Sequence, residues 1–169
     1  MEVLVGTLDV EDLDGLVEEL GAIGERHGVT IQAFDARYVA GRRHLERAVT
    51  LADRAIERDE NVAHDRAVEI LLYAAGRRQI DRALEMGVSA GETDAVVMVD
   101  GPGDERSAVD ALETELDELE RVPANASLST GDADSLVAFF GVTDEERRAT
   151  DASLEALVCE RVALLDVEK

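Results

Sequence analysis

Single glycines divide most of this sequence into segments whose apolar residues recur every three to four positions, and this pattern constrains the fold more than any other feature. The spacing is typical of helices that each bury one face, and glycine is the residue that most readily ends a helix. The predicted helices span residues 9–27, 42–59, 62–75, 77–86, 104–121, 132–140 and 143–166, with Gly28, Gly76, Gly87, Gly131 and Gly141 as punctuation.

Strands are predicted in far less of the chain. Val3, Val5 and Leu8 mark a short strand at the start of the chain, residues 29–34 form an alternating run that begins with β-branched residues, and residues 93–99 contain an apolar run. Residues 126–129 are a weak fourth candidate. The sequence therefore predicts a mixed α/β (α+β) fold, with a small central mixed sheet of three to four strands flanked by about seven helices.

The length and composition limit the class of protein. A chain of 169 residues with 46% apolar residues suits one domain, and we expect residues 1–169 to form it. No leader-like or membrane-spanning segment is evident, which predicts a cytoplasmic protein. The single cysteine, Cys159, excludes an internal disulfide and a multi-cysteine zinc site.

The chain is strongly acidic, with 39 Asp and Glu against 17 Lys and Arg and a net charge of −22. Its only lysine is Lys169. Such a composition is typical of proteins that stay soluble in concentrated salt, so we expect a haloarchaeal-like, salt-adapted protein. At molar salt, counterion release contributes little to nucleic-acid binding, and any RNA contact must then rely on hydrogen bonds and stacking.

One segment departs from this acidity. Residues 26–82 hold 11 of the 17 basic residues and only 9 of the 39 acidic ones, together with both tyrosines, Tyr38 and Tyr73. Every basic residue in it is an arginine, whose planar guanidinium group suits phosphates and base edges. The segment predicts a surface for an anionic partner.

Within the helix predicted at 42–59, four arginines fall in an arc of about 60°, opposite the apolar residues. They are Arg43, Arg47, Arg54 and Arg58. Glu46, Asp53 and Glu57 could pair with Arg43 and Arg54, so an ordinary solvated face remains an alternative. Arg42 and Arg43 are stronger candidates because they start the helix, where free N–H groups favour an anion.

The sequence GRRQ at 76–79 joins two predicted helices. Gly76 can adopt the left-handed conformation at the end of the first helix, and Arg77, Arg78 and Gln79 would start the second. Tyr73, one turn earlier, could stack on a base or belong to the core. Local ion pairs of Arg77 and Arg78 are the structural alternative.

The stretches FDARYVAGRRHLERAV (34–49) and NVAHDRAVEILLYAAGRRQIDRALEMGV (61–88) resemble the smallest tRNA-contacting subunit of the KEOPS complex, the PRPK-binding-protein family. The resemblance covers residues 29–100. It implies a non-catalytic protein that helps the complex make threonylcarbamoyladenosine in tRNA. Such a protein binds the single-stranded CCA 3′ end of tRNA and docks on and regulates the atypical kinase/ATPase subunit, which contacts the threonylcarbamoyl transferase.

Carried onto this chain, the resemblance implies two sites. The RNA-binding residues would be Arg37, Tyr38, Arg42, Arg43, Tyr73, Ala75, Gly76, Arg77, Arg78 and Gln79. The helix from Thr143 onward is apolar on more than one side, and it would contribute the kinase-docking residues Leu157, Val162, Leu164 and Leu165. Full burial of these residues in the core explains the same pattern.

No catalytic or metal-binding pattern stands out. The glycines at 101 and 103 lack the spacing and lysine of a P-loop, His27, His44 and His64 have no metal-ligand spacing, and no serine has a GxSxG context. We therefore expect no enzymatic activity, no cofactor and no metal. Two alternatives remain: a kinase regulator or scaffold that contacts no RNA, and a small enzyme acting on an anionic substrate at residues 76–79.

Overall fold

A four-stranded sheet organises one part of the computed structural model, which describes residues 1–167. Its strands are β1 (Glu2–Val10), β2 (Thr30–Asp35), β3 (Gly91–Asp100) and β4 (Glu120–Arg121), in the order β2-β3-β1-β4. Every neighbouring pair is antiparallel, so the prediction of a mixed sheet is wrong. The prediction of a mixed α/β fold with three to four strands is confirmed.

Eight α-helices lie within residues 1–167. They are α1 (Leu13–His27), α2 (Arg42–Glu57), α3 (Arg66–Ala75), α4 (Ile80–Ala83), α5 (Glu105–Glu115), α6 (Ala133–Phe140), α7 (Asp144–Ala149) and α8 (Leu154–Val167). Short 3-10 helices span Ala36–Tyr38 and Leu84–Met86. None of the helices in these described residues has the length and hydrophobicity needed to cross a membrane.

The first compact unit comprises residues 1–36 and 87–126. It has two strand-helix-strand halves, β1-α1-β2 and β3-α5-β4, in the split arrangement of ferredoxin-like folds. Helices α1 and α5 pack on each other and on the sheet. Leu4 lies opposite Val97 and Ile31 opposite Val99, and these side chains form one apolar core with both helices.

The second compact unit comprises residues 37–86 and the chain from Ser127 onward. Helix α2 packs against both α3 and α8, and α6 packs against α8. Apart from His44, the residues of α2 that face inward are small or apolar, as its spacing predicts. The division into two units leaves the prediction of one domain across residues 1–169 a prediction.

Several predicted boundaries are wrong for local reasons. The helix predicted at 62–75 begins at Arg66, because Asp65 caps it: the Val68 N–H donates to Oδ1 at 3.1 Å. Residues 62 and 63 instead form a loop whose N–H groups donate to the buried Glu69 carboxylate, at 3.1 and 2.8 Å. The helix predicted at 143–166 divides into α7 and α8, with Thr143 capping α7.

Candidate nucleic-acid interface

The His44 side chain connects the start of α2 to the end of α3 through hydrogen bonds. The N–H of Ala40 donates to Nδ1 at 3.1 Å, so Nε2 carries the proton and donates to the Ala74 carbonyl oxygen, 2.8 Å away. The ring is fully buried, and burial lowers its pKa to about 4 despite the opposing bond to Ala74. Two segments that the sequence identified separately are therefore neighbours in the fold.

Gly76 ends α3 in the left-handed conformation, with a φ of 61° that residues with a side chain rarely adopt. Its N–H donates to the Tyr73 carbonyl and that of Arg77 to the Leu72 carbonyl, each at 3.0 Å. Helix α4 begins only at Ile80. Residues 77–79 therefore form a turn rather than the predicted helix start.

Arg77 is half-buried in this turn. Its guanidinium group lies 4.8 Å from the ring centroid of Phe139 and donates to the Phe139, Ala75 and Gly76 carbonyl oxygens. This side chain holds the turn against α6 instead of forming a local ion pair. The neighbouring Arg78 and Gln79 are exposed.

Aromatic rings extend the site from this turn. Tyr38 and Phe139 are half-buried, with centroids 4.9 Å apart, and the guanidinium group of Arg37 lies 5.1 Å from the Tyr38 centroid. The backbone of Arg37 is fixed as well, because the Asp132 N–H donates to its carbonyl at 3.0 Å. Arg37, Tyr38 and Arg77, predicted as RNA-binding residues, therefore meet around Phe139.

Two other predicted RNA-binding residues lie in the core. Tyr73 is 1% exposed and donates its hydroxyl proton to Asp166 at 3.1 Å, and burial raises its pKa. Ala75 is fully buried. A base cannot stack on a ring in this position. Tyr73 is therefore a core residue, which was the alternative to a stacking role.

The N-terminus of α2 already has an anionic partner from the same unit. A carboxylate oxygen of Glu155 accepts from the Arg43 N–H at 3.1 Å. Gly41 permits this approach, since a Cβ at that position would overlap the Glu155 carboxylate. Arg42 pairs with Glu46 at 3.2 Å. An external anion at this helix start therefore has to compete with Glu155.

The outer face of α2 carries the four arginines Arg43, Arg47, Arg54 and Arg58, which we call the arginine stripe. All four are exposed, and their side chains form no ion pair within residues 1–167. Two of the three carboxylates expected to pair with them have other partners: Glu46 binds Arg42, and Asp53 binds Arg66 at 2.7 Å. The third, Glu57, is exposed and forms no ion pair within residues 1–167. The alternative of an ordinary solvated face, on which Arg43 and Arg54 form ion pairs with neighbouring carboxylates, therefore does not apply to these two residues.

Helix α8 places the predicted kinase-docking residues in two environments. Three of them are buried, as expected if they belong to the core: Leu157, Val162 and Leu165. Leu164 is 45% exposed and Val167, one turn along, is 79% exposed. Of the four predicted docking residues, Leu164 alone has a large accessible side chain.

Within residues 1–167 no three His, Cys, Asp or Glu side chains are grouped as metal ligands. Cys159 is half-buried, and burial followed by the nearby Glu155 raises the pKa of its thiol. Its thiolate form is therefore disfavoured at neutral pH.

Sequence reasoning missed two residues that shape the interface. Phe139 lies between Tyr38 and Arg77 in the fold, although it is about 60 residues or more from both in sequence. It was missed because its segment has the pattern of an ordinary apolar helix. Glu155 was missed because the chain has many carboxylates and nothing in the sequence distinguishes this one. Gly41, directly before the helix start, was the available signal that another group approaches there.

A comparison with known protein families gives a match over most of the chain. A family model described as Kinase binding protein CGI-121 matches residues 8–166. The match includes α2, the turn at 76–79 and nearly all of α8. No curated protein matches the sequence.

Proposed function

This chain belongs to the CGI-121 family of kinase-binding proteins. We propose that it is a non-catalytic subunit of a KEOPS complex. In this role it docks on the atypical kinase/ATPase subunit, regulates it, and binds the single-stranded CCA end of tRNA. The kinase connects it to the threonylcarbamoyl transferase. A protein acting on tRNA in this way works in the cytoplasm.

The observation that best supports RNA binding is the grouping of Arg37, Tyr38 and Arg77 around Phe139. Unstacked bases at a single-stranded end are recognised by stacking on aromatic rings and guanidinium planes and by hydrogen bonds to base edges. Arg78 and Gln79, exposed in the turn that follows Arg77, supply such donors. We assign the stacking role to Tyr38 and Phe139 in place of Tyr73.

The first test compares intact tRNA with the same tRNA lacking CCA, by fluorescence anisotropy in molar KCl. We expect binding to be lost on trimming. The double variant Arg37→Gln/Arg78→Gln should weaken binding to intact tRNA about tenfold, because two charged donors are removed. Arg106→Gln/Arg148→Gln removes the same charge from exposed positions elsewhere and should bind like the wild type.

Equal affinity for both tRNAs would contradict recognition of the 3′ end. No binding to either RNA, together with intact kinase binding, would favour the kinase regulator that contacts no RNA.

For kinase docking we propose the exposed end of α8, centred on Leu164 and Val167. Leu164→Asp should lower affinity for the kinase subunit at least tenfold, because it places a charge in an apolar contact, while leaving the melting temperature nearly unchanged. The matched change Val162→Asp, at a fully buried position, should unfold the protein. Isothermal titration calorimetry and thermal melts measure both effects, and a Leu164→Asp protein that is folded and binds normally would contradict this docking site.

A further inference from the structure

The arginine stripe extends well beyond the candidate interface. From Arg43 to Arg58 it follows α2 for about 22 Å, at 1.5 Å per residue. It begins next to His44, which is bonded to the end of α3, and it ends at the opposite end of α2 from that contact. Arg43 and Arg47 also line a groove of about 510 Å³ between α2 and α8, with Thr50, Glu46 and Glu160 among the other lining residues.

Helix stability does not explain the stripe. Arg54 and Arg58 lie at the C-terminal end of α2, where a cation is favourable to the helix dipole. Arg43 and Arg47 lie in its first half, where a cation is neutral or unfavourable. All four are nevertheless arginines on one face.

Local ion pairing does not explain it either. The chain holds more than twice as many carboxylates as basic groups, so a guanidinium group with no ion pair is unexpected. Glu46 and Asp53, each adjacent in sequence to an arginine of the stripe, bind Arg42 and Arg66 instead, and the exposed Glu57 forms no ion pair within the described residues. The stripe therefore remains available to a partner that brings its own negative charge.

We propose that the arginine stripe binds the sugar-phosphate backbone of the RNA strand that leads away from the bound 3′ end. This inference rests on the proposed function and adds a second, sequence-independent contact to it. Arginines one turn apart are about 6 Å apart along the helix, a separation of the same order as that of phosphates along a strand. The guanidinium fork matches phosphate oxygens, and the stripe starts beside the proposed 3′-end site.

The test uses two RNAs: a CCA-ended single strand of about four nucleotides, and a hairpin copying the acceptor stem with the same CCA end. The variant is Arg54→Gln/Arg58→Gln, at the end of the stripe remote from the 3′-end site. We expect it to bind the hairpin about threefold to tenfold more weakly than the wild type, and the short strand equally well. The slope of log affinity against log KCl for the hairpin should fall by about 1 to 2.

Arg106→Gln/Arg148→Gln is the matched control and should bind both RNAs like the wild type. A folded stripe variant that binds the hairpin with wild-type affinity and salt slope would overturn the inference while the short strand still reports on the 3′-end site. Loss of kinase binding with unchanged RNA binding would overturn it in favour of an acidic protein partner. Wild-type protein that binds neither RNA would overturn the proposed function as well.

Discussion

His44 shows how one buried side chain ties together the two segments that carry the candidate interface. Its ring accepts from the Ala40 N–H and donates to the Ala74 carbonyl, so it fits this position only as the neutral imidazole. Protonation would place a second N–H against the Ala40 N–H in a fully buried site. The pKa of about 4 reflects that cost, with burial as its main cause.

Acid should therefore destabilise the protein through His44. The pKa is about 6.5 in the unfolded chain and about 4 in the fold, so the native state binds fewer protons between these values. The stabilisation is complete above pH 6.5 and is lost as pH falls towards 4, and the loss at pH 4 amounts to roughly 3 kcal/mol. Urea unfolding from pH 7 to pH 4 should show a steeper fall in the free energy of unfolding for the wild type than for His44→Gln. Parallel curves for the two proteins would contradict this prediction.

For individual residues, the sequence predicted which charged side chains are exposed better than it predicted which aromatic side chains are buried. Exposed arginines could be predicted, because a guanidinium group is seldom buried without a partner. Tyr73 could not be assigned, because a tyrosine one turn before a glycine fits both a stacking surface and the core, and Asp166, which decides between them, is distant in sequence. Phe139 was missed for the same reason: its contacts with Tyr38 and Arg77 exist only in the folded unit.

Among the elements, α2 has an N-terminus whose anion site is already filled. The Glu155 carboxylate binds the Arg43 N–H and lies close to the cationic face of the helix. This carboxylate offsets the free N–H groups at the helix start, and it also repels an approaching phosphate.

Replacing Glu155 should accordingly separate stability from RNA binding. Glu155→Gln should lower the free energy of unfolding by about 1 kcal/mol, because it weakens the interaction with the helix start. The same change should raise tRNA affinity about twofold to fivefold, because one negative charge is removed beside Arg43. Glu145→Gln, an exposed change on α7 away from the arginine stripe's groove, is the control for loss of a negative charge elsewhere in the same unit. Weaker tRNA binding by a folded Glu155→Gln protein would show that Glu155 positions the interface rather than screening it.

Element type was more predictable than element length. Apolar spacing identified the regions of α1, α2, α3, α5, α6 and the first three strands, since local periodicity reports which face is buried. It placed residues 9 and 10 in a helix, although β1 continues to Val10 because that residue pairs with Gly91 of β3. It also missed β4, where Glu120 and Arg121 pair with Val5 and Leu4. Pairing between strands distant in sequence leaves no local pattern, so these limits are set by tertiary structure.

For the molecule as a whole, a net charge of −22 on 169 residues makes stability depend on the solvent. Exposed carboxylates greatly outnumber the ion pairs in the described residues, so the folded chain repels itself unless salt screens the charge. We expect the melting temperature to rise by about 10 °C or more between 0.2 and 2 M KCl, because a gain of a few kcal/mol shifts a domain of this size by that much. Melts in 2 M sucrose, which adds no ions, should give a smaller rise for the same protein. A melting temperature independent of KCl would argue against salt adaptation. The protein would then work at lower ionic strength, where counterion release supplies most of the affinity for tRNA and stacking at Tyr38 and Phe139 supplies less.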